Sequence, residues 1–184
     1  VGTETGIAWT DHTFNVAWGC TKVSPGCAHC YAEDLSTRYG HGVWGPNKPR
    51  RTFGAKHWAE PIAWDRAAGK PEPRRSRWAE SAPHECGGSE RRRAKVFCSS
   101  MCDIFEDHRT IAEELVKLWP LIRATPHLDW QLLTKRVERI VESLPADWGD
   151  GYQNVWLGVS IENREYEWRV QLLRRVPAQV RFLS

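Results

Sequence analysis

Beyond residue 94 the chain alternates short continuous apolar runs with helical stripes. Lys95-Val96-Phe97-Cys98-Ser99 is the first run. Past the acidic stretch from Asp103 to Asp107, Ile111, Leu115, Leu118, Trp119 and Ile122 recur at the three- and four-residue spacing of one helix face. Trp130 to Thr134 is the next run, followed by a helix predicted from Val137 to Leu144 and closed by Pro145. Val155 to Ser160 comes third, with a charged helix from about Arg164 to Arg175 behind it, ended by Pro177, and Val180 to Leu183 opens a further strand. Upstream, a first strand is expected near Phe14 to Val16. Strands alternating with helices at this spacing predict right-handed βαβ units, hence an α/β fold built on a parallel sheet or a (β/α) barrel. Pro120 lies inside the first helical stripe and predicts a kink, because it donates no hydrogen bond and its ring crowds the preceding turn. The chain stops at Ser184, directly after a strand and before any helix to cover it. A barrel is therefore expected to be partial, and the chain to be a fragment of a longer protein, truncated at its C-terminus. Val1 stands where a start methionine would be.

Between Gly40 and Ala94 the pattern changes. Prolines at 46, 49, 61, 71, 73 and 83, with Gly87-Gly88, break every long periodic element except a short helix near His57 to Ala68. The reading is one domain over residues 1–184 carrying a Pro/Gly-rich insertion at about 41–94, exposed and irregular from Gly69 to Arg93. From Lys48 to Lys95 there are 13 Lys and Arg against six acids, which leaves the remainder of the chain acidic by four despite a formal net charge of +3. This basic block contains Arg91-Arg92-Arg93 and interleaved Trp58, Trp64 and Trp78. It reads either as a solvated loop or as a grip on phosphates of a nucleic acid or a phosphorylated substrate.

Composition narrows the class. With 41% hydrophobic and 27% charged residues the 184-residue chain can bury a real core. No apolar run approaches the roughly 20 residues that cross a bilayer, and no signal peptide opens the sequence, so a soluble, cytoplasmic protein is expected. Eleven tryptophans spread from Trp9 to Trp168 fit packing better than one ligand cage.

In a reducing compartment, cysteines packed closely together hold metals more often than disulfides. Of the six, Cys20, Cys27 and Cys30 fall within eleven residues as C-x6-C-x2-C. Pro25-Gly26 supplies a turn that folds Cys20 back beside the other two, and a helix is expected to begin near Tyr31 with its positive end toward them. Three thiolates on one loop suit a cubane iron–sulfur cluster with one open iron, or a structural zinc completed by His29, Cys86 or another cysteine. There is no Gly-x-Ser-x-Gly elbow, no phosphate-binding GxxxxGK[ST] loop and no His-Glu-x-x-His, and His84, His108 and His127 are scattered as surface or capping residues would be.

Trp9-Thr10-Asp11, the turn from Gly19 to Cys27, and the stretches Phe97 to Asp107, Trp130 to Arg136 and Asn154 to Asn163 together resemble a phage-associated protein family of uncharacterised activity. That family is similar to radical S-adenosylmethionine enzymes and nearest to spore photoproduct lyase. The resemblance spans nearly the whole chain. It implies a partial (β/α) barrel, a 4Fe-4S cluster on Cys20, Cys27 and Cys30, S-adenosylmethionine as cofactor, an electron donor as partner, and a 5′-deoxyadenosyl radical that abstracts hydrogen from a substrate the resemblance does not name. The first spacing is x6 where the superfamily usually has x3, which implies a longer loop.

The resemblance also implies roles at strand ends. His29, in the position before the last cysteine that is often aromatic, would stack on or hydrogen-bond the adenine. Ser99, Ser100 and Asp103 follow the strand where an acid meets the cofactor's amino group. Lys135, after the next strand, would pair with the cofactor carboxylate or sit as a surface cation. Ser160, Glu162 and Asn163, after the following one, would meet the ribose hydroxyls, or Glu162 and Asn163 would cap the next helix. A rival reading is a zinc-stabilised, phage-associated nucleic-acid-binding protein without catalysis, and a third is a catalytically dead relative.

Overall fold

The computed structural model describes residues 5–70 and 93–184. Five strands form one parallel sheet: β1 (His12–Thr13), β4 (Ala94–Cys98), β5 (Leu128–Thr134), β6 (Val155–Val159) and β7 (Val180–Leu183), hydrogen-bonded in that order. Successive connections step one strand over, always toward the same edge, so β1 and β7 are the sheet's two margins. A separate two-stranded antiparallel ribbon pairs β2 (Ala17–Trp18) with β3 (Arg51–Thr52). The α/β class is as expected, with each of the four later strands within two residues of its predicted limits.

The sheet holds together because alternate residues of neighbouring strands fall in register. Val96 faces Trp130, which faces Val155, and Cys98, Leu132 and Leu157 form the next row. These residues bury one face against α4 (Arg109–Arg123), whose Ile111, Leu115, Leu118, Trp119 and Ile122 supply the predicted stripe. Such a large apolar side chain contributes about 1.5–3 kcal/mol when fully buried, and Trp130, Leu118, Ile122 and Leu157 are all fully buried. The indole nitrogen that burial of Trp130 draws in is satisfied, donating to Thr125 Oγ1 at 3.0 Å. Asn154 Nδ2 donates to the carbonyls of Ile122 and Thr125 at 2.9 and 3.1 Å, closing the C-terminal end of α4. At its other end His108 Nδ1 accepts the Thr110 N–H, the capping role available to it from sequence.

Several expectations need correction. The first strand is His12–Thr13, not Phe14 to Val16. Only the Phe14 N–H carries the ladder further, to Phe97 O at 2.9 Å. The apolarity of Phe14 serves the core instead, its ring lying 4.6 Å from His57, 5.2 Å from Trp58 and 5.7 Å from Trp130. Pro120 lies inside α4, which continues past it to Arg123, and Pro120 and Val116, whose carbonyl the proline leaves without a donor, both lie on the exposed side. The two later helices are shorter than predicted. Val137–Arg139 and Arg164–Tyr166 are 3-10 turns that lead into α5 (Ile140–Ser143) and α6 (Trp168–Leu173).

The stretch expected as insertion contributes to the fold within its described part. It supplies β3, α2 (Ala55–Trp58) and α3 (Glu60–Ala68), and Trp64 of α3 stacks on His12 at 4.4 Å. Arg74, Arg75, Trp78, His84, Cys86, Arg91 and Arg92 lie outside the described residues. Among the described residues no helix is long and apolar enough to cross a membrane.

Candidate functional site

Parallel strands deliver all their C-terminal ends to one side of a sheet, and the residues just beyond them form the floor of a cavity of about 300 Å³. Ser99 and Ser100 follow β4, Thr134, Lys135 and Arg136 end β5, and Ser160 follows β6; all line it, together with Cys20, Cys27, His29 and Cys30 from the loop after β2. The expected strand ends and the cysteine loop therefore meet at one place.

Local structure explains the loop's course. Gly19 has φ +116°, and a Cβ there would fall 2.4 Å from Val43 O, so the chain enters the loop through a position only glycine fills. The Gly19 N–H donates to Met101 O at 3.0 Å, tying the entry to the turn after β4. Pro25–Cys27 forms a 3-10 turn, and Cys30 is the N-cap of α1 (Tyr31–Arg38), the helix start expected from sequence. Asn15 holds the facing turn, its Oδ1 accepting the Met101 N–H at 2.7 Å, and the exposed Tyr31 donates its hydroxyl to Ser100 O at 3.1 Å.

The three thiols are half-buried and unbridged, and they differ electrostatically. Burial pushes Cys20 up to about 11 against the opposing charge of Arg136. Burial also acts on Cys27, but hydrogen bonds from the Val23 and Ser24 segment and the nearby Lys135 charge hold that thiol below its ordinary value. Cys98 and Cys102 are core thiols, and burial raises Cys98 to about 12 and Cys102 higher still. Among the described residues no three His, Cys, Asp or Glu side chains gather closely enough to hold a single metal ion. Cys20, Cys27 and Cys30 all line the cavity and are the thiolates that could hold a metal centre there.

Beneath the loop runs a buried chain of alternating charges that no sequence pattern marked. Arg50 donates from Nε and Nη2 to the two oxygens of Glu106, both at 2.8 Å. Glu106 also faces Arg136 at 3.5 Å, and Arg136 Nη1 donates to Asp103 Oδ2 at 2.9 Å. Burial works against the charge on Glu106, but Arg50, Thr21 and Arg136 hold its carboxyl below the usual range. Asp103 has both oxygens taken: Oδ1 by Thr134 Oγ1 and the Phe105 N–H, Oδ2 by Arg136 and the Lys135 N–H. Asp103 thereby ties β5 to the turn after β4, and it also lines the cavity.

Two other charged residues expected at the site, Lys135 and Glu162, are paired with each other. Lys135 Nζ lies 2.5 Å from Glu162 Oε1, which also accepts the Ser24 hydroxyl at 2.6 Å. Glu162 therefore clamps the cysteine loop through Oε1, while its Oε2 faces Arg169 Nη1 at 3.6 Å, and a Cβ on Gly26 would come within 2.6 Å of the side chain. Asn163 is exposed, away from the cavity, and accepts the Glu165 N–H as a helix cap, the second of its two expected roles. Ser160 keeps its place on the cavity wall, with its carbonyl held by Arg169 Nη1 at 2.9 Å. His29 is exposed at the mouth. Arg50, counted in the basic block, is buried, and the half-buried Trp58 and Trp64 pack around Phe14.

A family model described as a protein of unknown function (DUF5131) matches residues 4–184. No curated protein and no solved structure matches the chain.

Proposed function

The chain belongs to the DUF5131 family, and we propose that it is an iron–sulfur enzyme of the radical S-adenosylmethionine type, its sheet being part of a (β/α) barrel. The observation that carries the reading is the meeting of three cysteines from one loop with polar residues from three successive strand ends around one cavity. Cys20, Cys27 and Cys30 would hold a 4Fe-4S cluster, which when bound would offer one open iron to S-adenosylmethionine and the electron for its reductive cleavage, the source of a radical for hydrogen abstraction.

The chain's own contribution is positioning and shielding. Ser24, Gly26 and Glu162 hold the loop over the strand ends, so that the three thiolates reach the cavity together. Lys135 and the hydroxyls of Ser99, Ser100 and Ser160 give the floor polar groups for the charged and ribose portions of the cofactor. Phe97 and Leu133 extend the wall with apolar surface that keeps water from a reactive centre. An electron donor and a substrate complete the reaction, and the chemistry requires a reducing compartment.

The test is anaerobic reconstitution of the full chain with iron and sulfide, followed by a strong reductant and S-adenosylmethionine. Chromatography should find 5′-deoxyadenosine in the wild type and background in Cys30→Ala. Cys102→Ala should retain the cluster's visible absorbance. Equal background product in wild type and Cys30→Ala removes the reading, and purification with zinc alone favours the non-catalytic, zinc-stabilised alternative.

A further inference from the structure

Among the four charges buried under the cavity, Arg136 makes contacts that a purely structural ion pair would not need. It sits two residues beyond the last strand residue of β5, with only 6% of its surface exposed. Each terminal nitrogen serves both an acid and the cysteine loop: Nη1 meets Asp103 Oδ2 at 2.9 Å and points at Cys20 Sγ at 3.6 Å, while Nη2 faces Glu106 Oε1 at 3.5 Å and donates to Thr21 O at 2.6 Å. Arg50, on the far side of Glu106, adds a bond to Thr21 Oγ1 at 3.0 Å, so the side chain and carbonyl of the residue after Cys20 are both gripped.

We infer that Arg136 is a positioning residue that aims Cys20 into the cavity and donates a hydrogen bond to its sulfur, thereby setting the reduction potential of a cluster ligated there. The cluster half of this inference rests on the function proposed above. Hydrogen bonds to ligand sulfurs stabilise the more negative, reduced state of an iron–sulfur centre and raise its potential. The planar fork of arginine, with two hydrogens on each terminal nitrogen, allows one group to serve two acids, a sulfur and a carbonyl at once. A lysine ammonium at that position keeps the charge but cannot span all four. Glu106 and Asp103 act through this geometry, since they fix the plane of the guanidinium.

The experiment uses the full chain, reconstituted anaerobically, and follows the reduced cluster by electron paramagnetic resonance during a potentiometric titration. Arg136→Gln should lower the midpoint potential by about 59 mV, equivalent to a tenfold change in the oxidised-to-reduced ratio. Arg136→Lys, which retains the charge and is the variant to rely on if the glutamine form does not fold, should lower it by a smaller amount. A loaded cluster with unchanged potential in Arg136→Lys and Arg136→Gln overturns the inference while leaving the enzyme reading intact. If the wild type itself takes up no cluster, the enzyme reading fails and the positioning role is decided in the apo-protein by hydrogen exchange. There, the peptide covering residues 19–30 should exchange about tenfold faster in Arg136→Lys than in the wild type, with the surface variant Arg109→Gln unaffected. Equal exchange in Arg136→Lys and wild type overturns the inference.

Discussion

Gly26 offers the sharpest test of how the cysteine loop is held. Its φ is not positive, so alanine is conformationally acceptable there and, by restricting the unfolded chain, would by itself stabilise by about 0.4–1 kcal/mol. The obstacle is Glu162, whose Cγ, Cδ and Oε1 would all lie 2.6 Å from the new methyl group. Carbon atoms settle at about 3.5–4.0 Å, so the carboxylate must retreat by roughly 1 Å. That movement breaks its bonds to Ser24 at 2.6 Å and to Lys135. A hydrogen bond to a charged group contributes about 1.5–3 kcal/mol, whereas the Lys135 pair counts for no more than about 1 because solvent screens a partly exposed ammonium. Set against the gain in the unfolded state, Gly26→Ala should destabilise by roughly 0.5–3.5 kcal/mol. In a Glu162→Ala background the obstacle is gone, and the same change should be neutral or stabilising. Urea denaturation of the apo-protein, followed by tryptophan fluorescence in both backgrounds, measures this reversal of sign. An equal cost in the two backgrounds, or no cost in the wild type, would refute the clamp.

The thiols should separate by reactivity: in the apo-protein at pH 8, iodoacetamide should label Cys27 well before Cys20. With Cys20 raised from 9.0 to about 11 by burial, it carries about a hundredfold less thiolate than an ordinary cysteine at that pH. Mass-spectrometric time courses showing equal rates would contradict the assignment. The Arg50–Glu106 pair makes a prediction of definite sign. The folded state depresses the Glu106 carboxyl, so its contribution is fully present above the unfolded value of about 4.3 and is lost as the pH falls through the lower folded value. Urea midpoints measured from pH 5 down to pH 2 should fall less steeply in Glu106→Gln than in the wild type, and identical slopes would deny the pair its role.

Sequence alone determined the elements whose signal is local. The runs of β4 to β7 and the stripe of α4 are legible because residue spacing along a strand or helix dictates which side chains share a face, whatever lies beyond. The cysteine loop and the strand-end residues Ser99, Lys135 and Ser160 were also within reach, since consecutive parallel strands must deliver their C-terminal ends to one side. Phe14 and Val16 misled because an apolar pair looks the same whether it extends a ladder or fills the core; their surroundings, supplied by α2, α3 and β5, settled the matter. Charges were the least legible. Whether a carboxylate is free for a ligand or committed to the fold depends on who stands opposite, and those partners come from far along the chain: Ser24 meets Glu162 across 138 residues, Arg136 meets Cys20 across 116, and Arg50 meets Glu106 across 56. Only tertiary structure decides such pairings, because a buried charge costs so much without its partner that the packing around the site selects the pair, and no local periodicity records the choice.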